Sequence, residues 1–236
     1  MPVTSVTGEA LPVIAVTGMA FEARIARGEG VDVVFAARAD LLERALRAAL
    51  VRGCSGIVSF GTAGGLAPDL EAGTLIVADA VDGPFGRVTT DAGWTERLAA
   101  ALNVTPLGAQ LRRGTLAAVT APLTSAHGKQ ALHRKTGALA VDMESHIAAA
   151  IAAAHGLPFA VCRAIVDPAW RTLPPAATAG LRDDGHTAIG PILRELVRQP
   201  SQLGSLIRLA ADARAARQSL VQARRALGAA GALRTA

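Results

Sequence analysis

The stretch AVDMESHIAAAIAAAHGLPFAVCRAIVDPA, residues 140–169, carries three carboxylates whose settings suit work on a sugar or on a leaving base. Asp142 and Glu144 stand at an expected strand-to-helix junction, where the helix N-terminus favours negative charge. Each reads either as a helix cap or as an acceptor for a pair of sugar hydroxyls, with Met143 lying against the apolar face of a ribose. Asp167 closes an apolar run and precedes Pro168. A carboxyl group in such surroundings can have a raised pKa and act as a general acid. A plain turn-initiating Asp-Pro is the other reading.

Upstream, VSFGTAGGLAPDLEAGTLIVAD, residues 58–79, places Gly61-Thr62-Ala63-Gly64-Gly65 after a short apolar strand. Glycine there lets the backbone turn and present N–H groups, and the Thr62 hydroxyl adds a donor, which together suit an oxyanion. The order is neither a P-loop nor GxGxxG. A tight structural turn and a cradle for an anion or a sugar both fit the stretch taken alone.

These groups need a frame. The chain has 236 residues, half of them apolar, few aromatics and no Tyr, as in an α/β protein with small side chains at its helix–sheet contacts. No apolar run approaches the roughly 20 residues of a membrane span. The first residues lack the basic start and continuous apolar core of a signal peptide, so a cytoplasmic protein is expected. Cys54 and Cys162 lie in apolar segments away from metal-ligand spacing, so buried free thiols and no metal are expected. The net charge of +5 is uneven: from Arg194 onward eight arginines face two acids, a balance of +6 that leaves −1 for the rest. That tail has no aromatics for stacking and no nucleic-acid reading motif.

Hydrophobic patterning predicts strands at 13–17, 31–37, 56–60, 74–78, 114–119, 138–141 and 159–166. Helices are expected at 41–52, 91–103, 125–136, 143–155, 178–197 and 202–227. Such alternation argues a single α/β domain with a central, mostly parallel or mixed sheet flanked by helices. Ligands in such sheets bind beyond the carboxyl ends of the strands, where Gly18, Gly61, Thr120 and Asp167 fall.

The two quoted stretches, in that order and at that separation, resemble the nucleoside phosphorylase/nucleosidase superfamily, which includes purine nucleoside phosphorylases and methylthioadenosine nucleosidases. The variants VDMESH and GMAFEARIA resemble most closely its hopanoid-associated phosphorylases. That resemblance implies cleavage of an adenine N-glycosidic bond, with adenosylhopane as substrate and inorganic phosphate as co-substrate, and no other cofactor. It implies that Glu144 binds the ribose hydroxyls, Met143 packs on the sugar, and Asp167 protonates the purine N7. It further places Thr62, with Gly61, Ala63 and Gly64, beside the phosphate or attacking water. Gly18 would meet phosphate through its backbone, Glu22 would stand near the residue that positions water, and Leu123 with Pro122 would line the base pocket.

One departure bears on the chemistry. Several phosphorylases carry an arginine just before the glycine motif, where this chain has Ser59-Phe60. Arg24 or Arg27 could supply the missing phosphate ligand, or could be solvated helix residues. Hydrolysis of a methylthioadenosine-type nucleoside is therefore the alternative to phosphorolysis, and a non-catalytic nucleotide-binding or membrane-adaptor protein is a third reading. The chain divides into a domain at 1–199 and a basic helical extension at 200–236. That extension could lie on an anionic membrane surface or pack on its own domain or on a partner subunit. A homo-oligomer is expected from the resemblance. His127, His133 and His146 have no assigned role.

Overall fold

The computed structural model describes residues 11–233. The leader reading of the first residues and Arg234 of the basic tail lie outside that range. Fifteen elements carry the fold: β1 (Val13–Thr17), α1 (Ala20–Ala26), β2 (Val31–Phe35), α2 (Ala39–Leu50), β3 (Gly56–Gly65), β4 (Leu75–Gly83), β5 (Gly86–Thr89), α3 (Ala92–Asn103), β6 (Leu111–Ala118), α4 (Ala126–Thr136), β7 (Ala140–Asp142), α5 (Ser145–Ala154), β8 (Phe159–Asp167), α6 (Pro175–Ala179) and α7 (Ile189–Arg198). A long helix, α8 (Leu203–Ala229), follows them.

The sheet is mixed. β2, β1, β3 and β8 run parallel in sequence, β8 pairs antiparallel with β4, and β4 is parallel to β6. β6 continues parallel to β7, which returns antiparallel to β3, so β3, β8, β4, β6 and β7 close a ring. Helices cover both faces, as the alternation of elements requires. On one side α2 and α5 bury Leu42, Leu46, Ile147 and Ile151. On the other, Trp94, Leu98 and Leu102 of α3 meet Ala216, Leu220, Ala223 and Leu227 of α8.

The basic tail is thereby drawn into the body over its second half. Trp94 Nε1 donates to Ala232 O at 2.8 Å, and Arg224 Nε donates to Ala26 O at 2.8 Å. Arg214, Arg217 and Arg225 stay exposed on the outer side. Among the described residues no helix is long and apolar enough to cross a membrane.

Two expectations are corrected. Residues 61–65 are not a turn: β3 runs on through Gly65, pairing with β7 on one side and β8 on the other. The glycines are needed for proximity, since a Cβ at Gly61 would stand 2.8 Å from both Arg163 Nη1 and the Glu22 carboxyl carbon. The helix expected at 178–197 is split into α6, an isolated bridge between Leu181 and Thr187, and α7. Gly185 causes the split. It sits in the left-handed region at φ +80°, and its carbonyl accepts from Ala20 N at 2.9 Å, pinning the loop over the start of α1.

Candidate active site

Because β3, β7 and β8 pair with one another, the residues at their ends converge. Arg163 on β8 stands in register with Gly61 and is fully buried. Its Nη2 donates to Ser59 Oγ at 2.7 Å and lies 2.8 Å from Asp142 Oδ2 and 3.2 Å from Glu144 Oε2. Nη1 donates to Thr62 O at 3.1 Å. Asp142 also accepts from Ser145 N at 3.1 Å and from the Ser145 hydroxyl, so it anchors the start of α5 and pairs with Arg163 at once. The cap reading of Asp142 holds, and the same carboxylate is the partner of Arg163.

Glu22 reaches the cluster from the first turn of α1. Its Oε2 accepts from Gly18 N at 3.1 Å and Met19 N at 3.0 Å, and its Oε1 accepts from Thr62 N at 2.8 Å and Thr62 Oγ1 at 2.6 Å. The four donors that the glycine stretch and the first turn present are thus held by a carboxylate of the protein itself. Four bonds take up the lone-pair positions a carboxylate has. Gly18 is packed so closely on Glu144 that a Cβ there would collide with the Glu144 carboxylate.

Asp167 lies at the other end. Its Oδ2 is paired with Lys129 Nζ, which also donates to Asp167 O and Pro168 O at 3.1 Å and to Arg171 O at 3.0 Å. Lys129 is fully buried. Arg171 is held in turn by Asp212 of α8, through Nε at 2.8 Å and Nη2 at 2.6 Å.

Between these groups is a cavity of 230 Å³. Thr62, Ala63 and Gly64 line it together with Met143, Glu144 and Asp167, and Val119, Pro122 and Leu123 form an apolar wall. Burial pushes the Asp167 carboxyl above its ordinary value, with Lys129 opposing. Burial is also the main reason that Glu144 is pushed up to about 8, against the pull of Arg163 and with the push of Asp142 and Glu22. An unfolded Glu144 would titrate near its ordinary 4.5. Between those values the unfolded chain releases a proton that the folded chain keeps, so Glu144 lowers stability progressively as pH rises from about 4.5 to about 8. The thermal-stability gain of Glu144→Gln over the unaltered protein is therefore expected to grow across that window and level off above it. A gain independent of pH in melts at pH 5, 7 and 9 would show that Glu144 is already ionised.

The structure brings together Gly18, Glu22, Gly61, Thr62, Ala63, Gly64, Leu123, Met143, Glu144 and Asp167. Arg24 is not among them: it is exposed in the last turn of α1 and belongs to neither the charge cluster nor the cavity wall. Arg27 is likewise exposed. His146 packs against Phe85 with ring centroids 5.5 Å apart, outside the cavity wall. Burial pushes its pKa down, and its Nδ1 has no hydrogen-bond partner. His133 Nδ1 pairs with Ala138 O at 2.8 Å. Arg163 and Lys129 escaped the sequence reading. Arg163 had a signal, being the one charge inside the apolar run FAVCRAIV; Lys129 had none, since a lysine in a polar helix reads as solvated.

The ring of strands thus carries carboxylates, a buried guanidinium and an apolar cavity at its strand ends. The model of the phosphorylase superfamily matches residues 6–186, and the chain belongs to that family. Among solved structures it is similar to the methylthioadenosine nucleosidase of Helicobacter pylori with 5′-methylthioadenosine in its active site, at 15% identity and a TM-score of 0.65, covering 94% of this chain and 98% of that one. Futalosine hydrolase of the same organism gives 15% identity and a TM-score of 0.66 over 94% and 97% of the two chains. The S-adenosylhomocysteine nucleosidase of Streptococcus pyogenes gives 17% and 0.61 over 70% and 86%. No curated protein sequence matches significantly.

Proposed function

We propose that the protein is a hydrolytic N-ribosidase that releases adenine from a 5′-substituted adenosine. The observation that carries this reading is Glu22, whose carboxylate takes the Gly18, Met19 and Thr62 donors that an incoming phosphate would need. Two carboxylates, Glu22 and Asp142, stand with the Glu144 carboxyl group around the guanidinium of Arg163. A phosphate dianion entering there meets like charge, whereas neutral water does not.

The chemistry then follows from positions. Glu144 accepts the ribose hydroxyls, and Met143 borders the sugar in the cavity wall. Asp167 protonates N7 as the bond from C1′ to N9 breaks, and the electron pair of that bond leaves with adenine. The ribose becomes cationic at C1′, and the surrounding carboxylates stabilise that charge. Water attacks C1′ and gives its proton to Thr62 Oγ1, which passes its own to Glu22; Thr62 lines the cavity and Glu22 stands behind it. The adenosylhopane reading concerns the 5′ substituent, and the apolar Leu173 and Leu181 in the cavity wall are compatible with it.

The test supplies methylthioadenosine and adenosylhopane, each with and without phosphate, in ¹⁸O-water. Adenine release is expected to be unchanged by phosphate, with one ¹⁸O at C1 of the sugar product. Release only with phosphate, yielding a ribose 1-phosphate, would return the protein to phosphorolysis.

A further inference from the structure

We infer that Lys129 is a positioning residue that governs when Asp167 holds its proton and which of its oxygens faces the substrate. This rests on the reading of Asp167 as the acid in N-ribosyl cleavage. Lys129 does not line the cavity. It is nevertheless fully buried, and its three N–H donors are shared among three backbone carbonyls and Asp167 Oδ2. A buried ammonium is tolerated only when paired and hydrogen-bonded, and this one is both.

Two consequences follow. The first is geometric. With Oδ2 committed to Lys129, Oδ1 is the oxygen left for a ligand. A Cβ at Gly64 would stand 3.2 Å from Oδ1, so the glycine keeps that oxygen uncovered. The second is electrostatic. When the proton on Oδ1 passes to N7, the carboxylate left behind forms its charge beside the Lys129 ammonium. That attraction is stronger after transfer than before it, so it favours the departing state over the bound substrate. The other charges facing Asp167 are Arg171, from the segment after β8, and Asp212, from α8; they pair with each other. Lys129 from α4 is left as the unshared cation against the carboxyl group. Burial raises the Asp167 pKa and Lys129 lowers it, so the balance between them sets the acid.

The experiment uses the full chain with Lys129→Met, which keeps length without charge, and Lys129→Gln, which keeps hydrogen bonding to the carbonyls without charge. Carbon-13 NMR follows the Asp167 carboxyl, identified as the resonance lost in Asp167→Asn, and this readout is independent of turnover. In both variants the carboxyl is expected to titrate at least about one pH unit higher. The basic limb of the kcat profile should move with it, and kcat below that limb should fall by about tenfold or more, with KM changed less. If Lys129→Gln keeps the titration and the pH limb of the unaltered protein, the charge is not needed and the inference fails. A lowered melting temperature with unmoved titration would reduce Lys129 to a loop staple and overturn it too. Should the unaltered protein release no adenine, the proposed function fails, while the NMR titration still decides the pairing of Lys129 with Asp167.

Discussion

Asp167→Asn is expected to lower adenine release by about 10²–10⁴-fold, the usual contribution of a placed general acid. Binding of a nucleoside analogue should persist, because Asn keeps the shape of the cavity wall and an oxygen that can accept from Lys129 Nζ in place of Asp167 Oδ2. The effect should appear in kcat rather than KM, as expected when an interaction made only in the transition state is removed. The loss should also depend on the leaving group. A nucleoside whose base departs readily without protonation should be cleaved by the variant almost as fast as by the unaltered protein. An equal loss for both bases, measured at saturating substrate, would mean that Asp167 holds the site together and does not act as the acid.

Arg163→Met should have the largest effect on the fold. Arg163 has no exposed surface and is the cation against which Asp142 and Glu144 are packed. Removing one side of a buried charge cluster leaves the other uncompensated, which typically costs about 3–5 kcal/mol. That is a large part of the 5–15 kcal/mol by which a domain of ordinary stability is held folded. Urea unfolding at neutral pH should show the loss as an earlier midpoint. The deficit should shrink as pH is lowered, because protonation removes the charges that Arg163 no longer balances. A change below about 1 kcal/mol at neutral pH would show that the cluster already carries enough protons to stand alone.

Much of the frame was legible in the sequence, because parallel strands buried on both faces read as short apolar runs separated by helix-period segments. The end of β3 was not. Gly61 to Gly65 read as a tight turn or as a cradle of backbone donors, because glycine after a strand suits both, whereas here the strand stays extended and glycine is required by what crosses it: the Arg163 guanidinium and the Glu22 carboxyl group. The helix expected across Gly180 and Gly185 failed for a related reason. Backbone hydrogen bonds from Ala20 to Gly185 and from Ala37 and Arg38 to Asp183, all far away in the chain, hold that segment, and no local pattern reports them. Of the site, the residues carried by motifs came together, while Lys129 and the pairing of Asp142 with Arg163 depended on which elements face each other. Local periodicity cannot show a contact between α4 and the end of β8.

The bond between Arg171 and Asp212 has a bearing on how the protein is made. Synthesis delivers the ring of strands before α8, and a domain generally folds as a unit. Asp212 belongs to the last helix described, as do Leu220 and Leu227, which cover the core beside Trp94. Without α8 the chain lacks the carboxylate that holds Arg171, whose carbonyl is one of the acceptors around Lys129. The acid end of the site is thus complete only once α8 has packed, because Arg171 takes its carboxylate from a residue 41 positions further along the chain.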